Sequence, residues 1–169
     1  NFLKISGRYE MAKLKIVKEG DPVLRKISKE VLEVTPRVER LLDDMTDTLH
    51  AANGCGLAAV QVGVLRRVVL VETEPGQLYE LINPVIIDKS EETQEELEGC
   101  LSVPDVWGIT RRPKRVTVRA MNRKGEYFEV TGEDLLARAF CHELDHLDGK
   151  LFTDNAVRIL THEELENME

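Results

Sequence analysis

Phe140-Cys141-His142-Glu143-Leu144-Asp145-His146 is an H-E-x-x-H element. Residues four apart lie one turn apart on the same face of a helix, so neutral imidazoles at His142 and His146 converge on a single metal ion. Glu143, directly after the first histidine, reaches water held by that ion and can move its protons. The spacing carries this meaning only if the stretch is helical. Thr131 and Asp134 predict a Thr-x-x-Asp cap at the start of such a helix, and Gly149 predicts a cap at its end. Between them Leu135, Ala139, His142 and His146 share one face, and Leu136, Phe140 and Leu147 form an adjoining apolar stripe. The plain alternative is a helix that happens to carry two histidines.

Working outward, the 169 residues are enough to bury a core without disulfide or metal staples. A formal net charge of −8 argues against gripping nucleic acid and against adhesion to anionic lipid. No apolar run approaches the roughly 20 residues needed to span a bilayer, and no secretory pattern opens the chain. Cys55, Cys100 and Cys141 are an odd number, which favours reduced thiols in a cytosol over disulfides, and a compact chain without a transit peptide suggests the bacterial cytoplasm over an organelle. Residues 1–10 precede Met11-Ala12-Lys13, which reads as a natural start. They are set aside as a vector-derived or disordered extension, leaving 11–169 as one catalytic domain.

Along the chain, Asp21-Pro22 predicts a short helical turn. Thr35-Pro36 opens a longer amphipathic helix through Val38, Leu41, Leu42, Met45, Leu49 and Ala52, closed by Asn53-Gly54. His50, near its end, has no partner at metal spacing and reads as exposed. The glycines and alanines of Gly54-Cys55-Gly56-Leu57-Ala58-Ala59-Val60-Gln61 permit close backbone approach, without the ending of a phosphate loop. Residues 67–72 and 78–87 predict a hairpin, as do 115–121 and 127–130. The acidic stretch 91–98 reads mostly as a solvated face. Thr161 and Glu164 predict a capping box for a short last helix. The expected fold is α+β, with mainly antiparallel strands around a central helix carrying the H-E-x-x-H motif.

A catalytic metal takes three protein ligands and keeps one position open. Downstream, Asp148, Asp154, His162 and the last acidic residues are poor third ligands. Upstream stands Glu98-Gly99-Cys100-Leu101-Ser102, whose cysteine binds as thiolate and suits iron(II) or zinc. Two rivals stay open on residues alone. A peptidase cutting internal bonds would draw its third ligand from downstream. A closed structural site would need a fourth ligand from Cys55 or Cys141.

Three motifs occur in order. Gly54 to Gln61 resembles G-x-G-L-A-A-x-Q, Glu98 to Ser102 resembles E-G-C-L-S, and His142 to His146 resembles H-E-x-D-H. Together they resemble the peptide deformylases, and the likeness extends to Asp21-Pro22-Val23-Leu24-Arg25 and nearly all of the chain after Met11.

The resemblance implies removal of the formyl group from the N-terminal formyl-methionine of new polypeptides, with release of formate. It implies Cys100, His142 and His146 as ligands of one divalent ion, Fe(II) physiologically, with zinc, nickel or cobalt as replacements. Glu143 would take a proton from the attacking water and deliver it to the departing amine. The Gln61 side-chain amide and the Leu101 backbone N–H would face the oxyanion. Gly54, Cys55, Gly56, Glu98 and Gly99 would lie along the peptide, and Leu135 and Ala139 in the methionine pocket. Glu98 and Asp145 have supporting roles as their alternatives, Cys55 and Cys141 read as small packing residues, and Trp107 as either cleft rim or core cap. Some members dock on the ribosome through a basic C-terminal helix. The acidic ending Glu163-Glu164-Leu165-Glu166-Asn167-Met168-Glu169 predicts no such docking, leaving proximity to the ribosome only transient.

Overall fold

The computed structural model describes residues 13–168; the reading of 1–10 as an extension lies outside them. Two antiparallel sheets flank one helix. The first has the order β1-β2-β3-β6-β7, with β1 Gly56–Ala58, β2 Val68–Val71, β3 Tyr79–Lys89, β6 Arg115–Met121 and β7 Tyr127–Glu133. The second has the order β4-β5-β8, with β4 Thr93–Cys100, β5 Val103–Pro113 and β8 Arg158–Ile159. Helix α1 is Pro36–Ala52 and α2 is Leu135–Leu147, followed by the short α3 Phe152–Asn155 and α4 His162–Glu166.

The run Val68-Val69-Leu70-Val71 is apolar throughout because β2 is covered on both faces. Val68 and Leu70 pack with Leu42, Met45 and Leu49 of α1. Val69 and Val71 point the other way, toward Phe140, Leu144 and Leu147 of α2. The two-residue period of a strand thus assigns each helix its own side of the sheet. Helix α2 also touches β5 of the second sheet, and the architecture is α+β with mainly antiparallel strands, as expected from sequence.

Both ends of α1 follow the sequence signals. Thr35 Oγ1 accepts from Val38 N–H, and Asn53 closes the helix at φ 59°. The Asp21 side chain accepts from Val23 N–H over a 3₁₀ turn, Pro22–Arg25. Thr161 and Glu164 form the reciprocal capping box of α4.

At α2 the expected N-terminal cap is absent. Thr131 lies within β7, its hydroxyl paired with that of Thr117 across the strands, and the Asp134 carboxylate pairs with Lys114 instead of the helix end. Strand pairing wins because β7 completes seven cross-strand partners with β6 before the chain turns. The second difference is the acidic stretch, which forms edge strand β4. Glu91, Glu92, Glu95 and Glu96 are solvated as read, whereas Gln94 and Glu98 turn inward.

The far end of α2 is pinned by the N-terminal region. Ser28 N–H donates to Leu147 carbonyl (2.8 Å), and Arg67 donates to the same oxygen (3.2 Å). Gly149 follows at φ 73°, the left-handed geometry that ends a helix.

Candidate functional site

Helix α2 delivers His142 and His146 one turn apart, and the end of β4 delivers Cys100 against them. One ligand atom from each of the three lies within 4.8 Å of the others. Cys100 Sγ stands 3.3 Å from His146 Nε2. Of the downstream alternatives, Asp148 pairs with Arg67, Asp154 with Arg25, and His162 with Glu166. Burial pushes the Cys141 thiol up to about 11, which keeps it neutral.

The donor set fits a divalent cation. His142 Nδ1 is 2.5 Å from Glu98 Oε2, a contact in which the imidazole N–H donates and Nε2 is left for coordination. Burial, assisted by the positive His142, pushes His146 well below its ordinary value and so toward the neutral, ligating form. Burial opposes protonation of His142, yet the surrounding Glu143, Cys100 and Glu98 outweigh it and hold its pKa well up. A cluster that draws a proton this strongly is the environment in which a metal cation competes for the same nitrogen.

Glu98 anchors the assembly. Its carboxylate takes the Thr110 hydroxyl (2.7 Å) and two guanidinium donors of Arg112 (2.7 and 3.2 Å) besides His142. Burial alone would raise its pKa; the hydrogen bonds from His142 and Arg112 reverse this and hold it at about 2. Arg112 also reaches Asp145 (2.7 Å), so β5 is tied to the helix carrying the histidines. Thr110 and Arg112 escaped the sequence reading because β5 itself did. Their signal was the alternation Gly108, Thr110, Arg112, which places both polar side chains on one face of a strand.

Glu143 is buried, and its Oε1 has no hydrogen-bond partner among the described residues. Burial raises its carboxyl to about 7, with His142 opposing and Glu98 adding to the rise. Gln61 sits in the 3₁₀ turn Ala59–Val62. Its Oε1 accepts from Ala58 N–H (2.9 Å), which turns Nε2 toward Ser102 Oγ (3.1 Å) and Cys100 Sγ (3.6 Å). Leu101 and Ser102 form the tight turn between β4 and β5.

These groups open into a cavity of about 580 Å³. Every candidate residue lines it except His146, which is fully buried behind. Gly54, Cys55 and Gly56 line it, as do Glu98, Gly99 and Leu101. Leu135 and Ala139 line it as expected, together with Leu97 and Arg138, which the sequence reading did not single out. Cys55 is exposed there, so it is not the packing residue expected of it, whereas Cys141 is buried as read. Trp107 belongs to the rim; its ring lies over Gly99, where a Cβ would come within 2.6 Å of it.

The polypeptide deformylase family model matches residues 13–161. A peptide deformylase of Acetivibrio thermocellus is 54% identical over 151 residues, covering 89% of this chain and 88% of the relative. That of Caldanaerobacter subterraneus subsp. tengcongensis is 51% identical over 153 residues, covering 90% and 95%. Among solved structures, the peptide deformylase of Thermotoga maritima superposes with a TM-score of 0.83 at 38% identity, covering 88% of this chain and 99% of that one. A class I type b peptide deformylase from Acinetobacter baumannii, solved with Met-Ala-Ser bound, gives 0.83 at 32% identity, covering 86% and 99%. Sequence and architecture agree over most of the chain's length, and the chain belongs to the polypeptide deformylase family.

Proposed function

We propose how this metal-dependent hydrolase, which removes the formyl group from the N-terminal methionine of nascent polypeptides, divides the work among its residues. Cys100, His142 and His146 are assigned as ligands of one divalent ion, Fe(II) in the cell, with zinc, nickel or cobalt able to replace it. Bound there, such an ion supplies a Lewis acid and acidifies water at the position left open by three protein ligands. The observation that carries the reading is the convergence of a cysteine sulfur and two imidazoles, beside a buried carboxylate oxygen that has no hydrogen-bond partner among the described residues.

Glu143 accepts the proton of the attacking water and returns it to the departing amine. A carboxyl poised at about 7 does both with little driving force lost in either direction. Gln61 Nε2, aimed by the Ala58 hydrogen bond, and the Leu101 backbone N–H donate to the oxyanion that develops on the formyl oxygen. Glu98 acts on His142 and not on the substrate, since its carboxylate is already held by His142, Arg112 and Thr110.

The peptide enters as an added strand. β1 is the edge of one sheet and β4 the edge of the other, and Gly54 to Gly56, Glu98 and Gly99 line the cavity. The methionine side chain occupies the apolar part, against Leu135 and Ala139. A relative of the same architecture has been solved with Met-Ala-Ser bound, a peptide that begins with methionine. The same proposal puts the protein in the bacterial cytoplasm, with no direct contact to nucleic acid or membrane. The net acidic charge supports this, and no helix among the described residues is long and apolar enough to cross a membrane.

Replacing Cys100 tests the ligand set. Cys100→Ser is expected to weaken metal affinity by at least about 10-fold, read by competition with a chelator. Unchanged affinity would return the third ligand to the downstream residues.

A further inference from the structure

Residues 13–19 cross the outside of the cavity as a strap and meet its wall at three points. Val17 N–H donates to the Gln61 carbonyl (2.7 Å), and Glu19 N–H donates to the Ser102 carbonyl (2.7 Å). Between them Lys18 Nζ donates to the Leu101 carbonyl (3.2 Å), and Lys18 lines the cavity. The strap is anchored further back, where Leu14 N–H donates to Thr48 Oγ1 of α1 (2.8 Å) and the Leu14 side chain packs on the core beneath.

The three contacts fall on the two elements assigned above to the oxyanion. Those elements belong to different sheets: Gln61 follows β1 of the five-stranded sheet, and Leu101 sits in the β4–β5 turn of the three-stranded one. The distance between the two donors depends on how the sheets are held together beside the cavity. Gln61 Nε2 does so from inside, through Ser102 Oγ and Cys100 Sγ. The strap does so from outside.

We infer that Lys18 is a positioning residue for the deformylation reaction. Its ammonium fixes the Leu101–Ser102 turn so that the Leu101 N–H stays aimed at the developing oxyanion, while Val17 fixes the Gln61 backbone. The Leu101 and Ser102 carbonyls lie in the two peptide planes that follow the one carrying the Leu101 N–H, so holding both from outside restricts the few torsions through which the turn could rotate that N–H away. Donors aimed in advance stabilise a transition state because nothing has to reorganise when charge appears. The inference rests on the oxyanion roles proposed for Gln61 and Leu101.

The test compares kcat and KM for formate release from a formyl-methionyl peptide in metal-loaded Lys18→Met, Lys18→Arg, Lys15→Met and Gln61→Ala, with metal content and melting temperature checked. Lys15 is exposed on the same strap and lies outside the cavity lining, so it carries the same charge change without the contact. Lys18→Met is expected to lower kcat by about 3- to 10-fold with KM and metal content unchanged, the scale of one solvent-exposed hydrogen bond. Lys18→Arg recovers most of the loss, and Lys15→Met matches the parent. If Gln61→Ala is slow while Lys18→Met is as fast as the parent, the inference fails and the oxyanion reading stands. If Gln61→Ala is also as fast as the parent, the oxyanion reading fails and takes this one with it. A loss confined to KM, an equal loss in Lys15→Met, or no recovery in Lys18→Arg would each overturn the role assigned to Lys18.

Discussion

Gly56 has no side chain because the Glu143 carboxylate occupies the place where its Cβ would be. The glycine-rich segment lining the cavity and the carboxylate on α2 are therefore fitted to one another. Glu143 is buried, so a methyl group at position 56 cannot be answered by swinging the carboxylate into solvent. Gly56→Ala is expected to lower kcat about 100-fold, the cost of an ångström's misplacement at a reacting group, with metal content retained. Turnover close to the parent's would show that the carboxylate has room to move.

The Glu98–His142 contact leads to a prediction about metal affinity. Glu98→Gln keeps the shape and removes the charge that Nδ1 of His142 faces at 2.5 Å. Affinity for the metal is expected to fall about 10- to 100-fold, measured against a chelator at neutral pH. An unchanged constant would mean that Glu98 does not support the ligand.

The same carboxylate sets a pH dependence of stability. Its pKa is held at about 2 in the folded chain against an ordinary 4.5. A depressed pKa contributes stability in full above the unfolded value and loses it as pH falls through the folded one. In metal-free protein, Glu98→Gln should therefore be clearly less stable than the parent at pH 6. The gap should narrow below about pH 4.5 and be nearly closed at pH 2, as followed by urea unfolding. A gap independent of pH would contradict the assignment.

At the other end of α2, Gly149 has φ 73°, and a Cβ there would stand 2.5 Å from the Arg25 carbonyl oxygen. Gly149→Ala is expected to destabilise the fold by about 2 kcal/mol, seen as a lower urea midpoint with the same slope. A shift under a few tenths would show that the turn relaxes freely.

The parts of this fold that were legible in the sequence are those whose reasons are local. The 3.6-residue period of α1, its Thr35 and Asn53 ends and the turn residues between the hairpin strands all depend on neighbours in the chain. The three side chains that converge as a candidate metal-binding group were legible too, His142 and His146 by spacing and Cys100 as the upstream alternative to poor downstream ligands. What was hidden depends on long-range pairing. Thr131 has the credentials of a helix cap, yet it joins β7 because β6 offers it a partner. The glutamates of β4 read as solvent-facing, and most are, but the alternation that sends Glu98 inward has meaning only once β5 lies alongside. Arg112, which binds both Glu98 and Asp145, could be found only by pairing those strands.

The measurement that tests the central claim most directly is formate release from a short formyl-methionyl peptide, using protein prepared without oxygen and loaded with Fe(II). It is run beside Glu143→Ala at equal metal content. The account predicts rapid release by the parent and a loss of about 100-fold or more in the variant, with metal still bound. Equal rates in the two proteins would contradict the role given to Glu143, and no release by the metal-loaded parent would contradict the account as a whole.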